Sequence, residues 1–118
     1  KKAPAKATTK TETAAKTVSK MVELINGLEG DDTAARNKFA RCVKVKEEHA
    51  EKVKREVQII WSDYFKPEHL ETYPDLHDKV WKLLKLAGKN KQSVDAEAAA
   101  QLQAAVKEFS EIFWSTKK

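Results

Sequence analysis

The chain has 118 residues, 41% of them hydrophobic, with three glycines, three prolines and one cysteine. This describes a single domain with a core, and it excludes a turn-rich all-β fold, an intrachain disulfide framework and a cysteine-based structural zinc site. No apolar run is long enough to span a membrane, no secretory signal with an apolar centre is present, and the net charge of +5 is uneven: residues 1–17 hold five lysines against Glu12, Lys117 and Lys118 add two charges, and residues 18–116 are left at −1.

Residues 1–17, KKAPAKATTKTETAAKT, contain no large apolar side chain. They bury too little surface to offset ordering entropy, so at least residues 1–8 are expected to be disordered, and 1–17 to form a flexible basic tail on a helical domain spanning 18–118. The Lys/Ala/Pro mix is similar to the tails of linker histones and of some phasins, a likeness of composition. Lys1, Lys2, Lys6, Lys10 and Lys16 are the candidate anion contacts, and removal of 1–17 is expected to leave the helical body intact. A chain that begins with Lys reads as a processed or excised piece, from which a targeting peptide could have been removed.

Four helices follow from periodicity. The first covers about 9–28, with Val18, Met21, Val22, Ile25 and Leu28 on one stripe. Gly27 and Gly30 bracket its end, and Asp31, Asp32 and Thr33 offer N-cap oxygens for the next helix. The second covers 33–65 without Gly or Pro. Its residues Phe39, Val43, Lys46, Ala50, Val53, Val57, Ile60 and Tyr64 keep a heptad pattern with one polar break at Lys46. Glu48–Lys52, Glu51–Arg55 and Lys52–Glu56 are expected ion pairs along its solvated face. Pro67 and Pro74 bound an irregular stretch with at most a single turn at 66–71. The third helix is expected to start at Pro74 or Asp75 and to stop before Gly88, with Leu76, Val80, Leu83, Leu84 and Ala87 inward. Ser93 is the expected N-cap of a fourth helix reaching about Ser115, lined by Ala98, Leu102, Ala105, Val106, Phe109, Ile112 and Phe113. A second helix of about 50 Å beside a third of about 20 Å predicts a projection, a bend or a partner, with Val45 and Ile59 as candidate contacts.

The chemistry-bearing residues are few. His49, His69 and His77 do not have the i,i+4 spacing of a helical metal pair. Glu68, His69, Glu71, Asp75, His77 and Asp78 gather around one loop, but they read as solvated and capping groups. Cys42 reads as a packing residue beside Val43. No GxSxG, HExxH, CxxC or glycine-rich phosphate loop is present. The aromatic residues offer more. Trp61, Tyr64, Phe65 and Tyr73 crowd one junction, and Trp81, Phe109, Phe113 and Trp114 fall in the last two helices. Trp61, Tyr64, Tyr73, Trp81, Phe113 and Trp114 are therefore the candidate partner anchors.

These readings converge on an all-α chain: a four-helix bundle, or a three-helix bundle with an added N-terminal helix, with a long second helix. The expected function is a non-catalytic interaction module, a subunit or adaptor in a larger assembly. The alternative is a nucleic-acid-associated protein that contacts phosphates through its lysine-rich tail. No enzyme activity, cofactor or metal ligand is assigned. The expected partner is another protein or a second copy of the chain. A soluble protein of a reducing compartment is expected from the single cysteine.

Overall fold

The computed structural model describes the backbone of residues 2–117 and the side chains of residues 6 and 8–117. Among the described residues there are five helices and no strand, so the all-helical expectation holds. They are α1 (Lys2–Asn26), α2 (Thr33–Asp63), α3 (Pro67–Thr72), α4 (Leu76–Gln92) and α5 (Ala96–Thr116). Helix α1 packs on α2 and α5, α2 packs on α4, and α4 packs on α5, so the four long helices close a ring around one core. Short α3 turns the corner between α2 and α4, with Pro67 at its first turn, where a missing N–H costs nothing.

The first helix departs most from the sequence-based expectation. It begins at Lys2 and runs unbroken through the proposed boundary at residue 17. Its inward stripe reaches back from Val18 through Ala15, Ala14 and Thr11 to Thr8, all essentially inaccessible. Small side chains let α1 approach its neighbours closely, so the segment gains packing without any large apolar residue. A search for large hydrophobic residues alone misses this. The long α1 also answers the length mismatch. Helix α2, of 31 residues, is about 46 Å long, and α1, of 25 residues and about 37 Å, packs along it. The body measures 56 × 25 × 18 Å.

In α2 the core face is Cys42, Lys46, Ala50, Val53, Val57 and Ile60. The heptad is kept from Lys46 onward but slips before it: Cys42 is buried, Val43 is half-buried and Phe39 is 47% exposed. A straight helix of 3.6 residues per turn drifts away from a 3.5 repeat, which moves the buried position by one residue. Asp32 caps this helix, accepting from the Ala35 amide at 2.8 Å. Gly30, at φ +81°, makes the left-handed turn in the preceding loop.

Helix α4 passes through Gly88 and ends at Gln92, and α5 is capped by Asp95, not Ser93. The Asp95 carboxylate accepts from the amides of Glu97 (2.9 Å) and Ala98 (3.2 Å). The Ser93 hydroxyl instead donates back to the Lys89 carbonyl at 2.7 Å, closing the end of α4.

Candidate functional site

Two polar or aromatic groupings stand out from the apolar core. The first is at the C-terminal end of α4. Lys46 occupies a core position of α2 and is 1% exposed. Its Nζ donates to the backbone carbonyls of Asn90 and of Lys91, the latter at 3.1 Å. These carbonyls belong to the last turn of α4, where the helix dipole is negative and backbone acceptors lack intrahelical donors, so an ammonium satisfies both needs. Burial pushes the Lys46 pKa below its ordinary value, against a weaker opposite pull from Glu47. The Asn90 side-chain amide is also inside. It donates to the Leu86 carbonyl (2.9 Å) and to the Ala98 carbonyl (3.0 Å), tying α4 to α5. Lys91 closes the rim with an ion pair to Glu51 at 2.8 Å. This lock has no apolar periodicity of its own, and the only signal in the sequence was the polar break at Lys46.

The second grouping is the corner where α2, α3, α4 and the end of α5 meet. Tyr64 stacks on His69 with ring centroids 5.6 Å apart, and Phe113 lies 4.7 Å from the same tyrosine ring. Phe65 meets Phe109 edge-on at 5.8 Å. The Tyr64 hydroxyl bonds the Thr116 hydroxyl at 2.7 Å, and the Tyr73 hydroxyl bonds that of Ser115. The indole N–H of Trp61 donates to His77 Nδ1 at 2.9 Å. The backbone amide of Lys66 donates to His69 Nδ1 at 3.0 Å. Both imidazoles thus spend the Nδ1 lone pair on structure, which places their proton on Nε2.

The six candidate anchors separate. Phe113 is fully buried in the core, so it is no surface contact as the chain stands. Trp61, Tyr64 and Tyr73 are half-buried in the corner. Trp81 and Trp114 are exposed, at 58% and 44%, and Lys85 lies over the Trp81 ring at 5.4 Å. Lys6, Lys10 and Lys16 point outward from α1. The side chains of Lys1 and Lys2 lie outside the described residues. The expected i,i+4 pairs are also redrawn. Glu48 pairs with Lys44 at 2.6 Å, and Glu51 reaches across to α4. Of the two off-stripe candidates, Val45 is half-buried and Ile59 is exposed.

Metal-ligating side chains are dispersed. Cys42 is buried in the first half of α2. His49 Nδ1 bonds the Val45 carbonyl of its own helix at 2.9 Å. Among the described residues no three His, Cys, Asp or Glu side chains gather closely enough to hold a metal ion. Also among the described residues, no helix is long and apolar enough to cross a membrane.

Comparison with known proteins adds what this geometry does not. Residues 3–117 match the family described as nickel-containing superoxide dismutase. The chain is 38% identical over 78 residues to a nickel superoxide dismutase of Streptomyces seoulensis. It is 41% identical over 78 residues to the one from Streptomyces coelicolor. Each match covers 66% of this chain and about 60% of the relative's own length. The native structure of nickel superoxide dismutase superposes with a TM-score of 0.83 at 34% identity, covering 94% of this chain and 91% of that one. An apo structure of nickel superoxide dismutase gives 0.84 at 34% identity, covering 93% and 95%. These matches overturn the expectation of a non-catalytic adaptor, together with the assignment of no enzyme activity, and the nucleic-acid alternative finds no support. Periodicity could not reveal this, because it reports which faces are buried and is silent on chemistry.

Proposed function

The chain belongs to the nickel-containing superoxide dismutase family, and from that membership we propose superoxide dismutation as the activity it serves. In that reaction two superoxide anions and two protons give dioxygen and hydrogen peroxide. In this reading the chain supplies the helical body of the enzyme. The observation that supports it is the span of the family pattern, residues 3–117, which takes in the five described helices except the first residue of α1.

Two features of the surface suit the proposal. Superoxide is a small anion, and the exposed Lys6, Lys10 and Lys16 give the outer face of α1 a positive field that raises its local concentration. The partner in this reading is a second copy of the chain, contacted through Trp81 and Trp114, which the core leaves outside.

The side chains present do not fit a nickel centre, so no step of the reaction is assigned to them. The test is the decay of superoxide in the presence of the longest natural polypeptide that contains these residues, supplied with nickel. Decay well above the uncatalysed rate, lost on chelation, is expected. Decay at the uncatalysed rate by nickel-loaded protein would sink the reading.

A further inference from the structure

We propose that these 118 residues do not by themselves assemble a redox-active nickel centre. The inference rests on the family reading above, and its argument is the donor inventory. Imidazole nitrogen suits nickel, thiolate sulfur is the other soft donor a protein offers, and any such centre needs several donors gathered on one ion.

The whole sequence offers one thiol and three imidazoles. The residues whose side chains are not described, 1–5, 7 and 118, are Lys, Ala and Pro, with no thiol, imidazole or carboxylate side chain among them. The four soft or borderline donors lie too far apart. Cys42 and His49 are on one continuous helix, about 10 Å apart along its axis, while metal–ligand bonds are about 2.0–2.3 Å. His49 Nδ1 is held by the Val45 carbonyl of its own helix, and among the described residues no third ligand side chain stands with this pair. His77 touches Trp61, which is about 28 Å along α2 from Cys42, and His69 stacks on Tyr64 at the same far end. The thiol and two of the imidazoles therefore occupy opposite ends of the bundle. Those two imidazoles also have Nδ1 engaged by Trp61 and by the Lys66 amide. Of the carboxylates, Glu48, Glu51, Asp78 and Glu108 are already paired with lysines, and among the described residues none gathers with two other ligand side chains.

The test uses the 118-residue chain, reduced and freed of metal, then incubated with nickel chloride, washed with excess free histidine and desalted. Nickel per chain is read by elemental analysis, and sulfur ligation by the near-ultraviolet thiolate-to-nickel band. The expected result is no retained nickel, no such band, and a spectrum identical to that of the Cys42→Ser chain. One equivalent of nickel surviving the wash would overturn the proposal. So would a thiolate band that Cys42→Ser abolishes. Either result would leave the dismutase reading standing. Unaccelerated superoxide decay with the longest natural form would sink that reading and leave this proposal untouched.

Discussion

Lys46 shows how one buried charge can serve a fold. It stands at a core position of α2 yet satisfies two carbonyls at the end of α4. Lys46→Ala would leave both acceptors unpaired and open a cavity, and a loss of about 3 kcal/mol is expected in chemical denaturation. Its folded pKa lies below the ordinary 10.5, so between the folded value and 10.5 the unfolded chain binds more protons than the native one. Stability should therefore rise with pH across that window, and Lys46→Met should remove that component of the slope. A slope that persists unchanged in Lys46→Met would show that another group is responsible. Tyr64 plays a lesser part at the other end, and Tyr64→Phe should cost about 1 kcal/mol through the lost bond to Thr116.

Helix ends and helix interiors carry separable contributions. Asp95 satisfies two amides at the start of α5, and Asp95→Ala should cost about 1 kcal/mol in thermal melts. Gly88 presents the opposite case. It sits inside α4, its φ is not in the left-handed region, and a Cβ there would meet no atom within 4 Å. Gly88→Ala should raise stability by about 0.5–1 kcal/mol, and a lower melting temperature for that variant would contradict the described helix. In α2, Val53 and Val57 are inaccessible, and replacing either with Asp should abolish cooperative unfolding by placing an unpaired carboxylate in the core. The heptad read from the sequence was sufficient to choose these two residues. It was not sufficient at Phe39, because drift of the stripe turns that ring toward solvent.

For the molecule as a whole, the decisive element is α1. Removing residues 1–17 deletes Thr8, Thr11, Ala14 and Ala15 from the core and uncovers the faces of α2 and α5 they cover. The expectation of an intact body is therefore replaced by a melting temperature lower by about 10 °C or more. A truncated chain that melts with the full one would show that the first half of α1 is ornamental. Trp81 and Trp114 bear on assembly. Sedimentation at tens of micromolar should give a mass above 13.4 kDa, and Trp81→Ala with Trp114→Ala should return it toward that value. A monomer in the unsubstituted chain removes the second-copy reading.

The amino-acid sequence alone determined helix content, three of the four core stripes and the aromatic corner, because each depends on local periodicity or on residues close in the chain. It also carried the dismutase family pattern, although periodicity could not read it. Only the tertiary structure decided the rest. The basic opening segment became the first half of a packed helix because two neighbouring helices accept its small side chains. Gly88 stayed helical because Lys46, Asn90 and Ser93 tie down the turns beyond it. The Glu51 ion pair left its own helix because Lys91 of α4 comes within 2.8 Å of it. The Lys46 and Glu51 contacts join atoms some forty residues apart, and the opening helix is held by small side chains meeting a neighbour; one-dimensional spacing does not encode such distances.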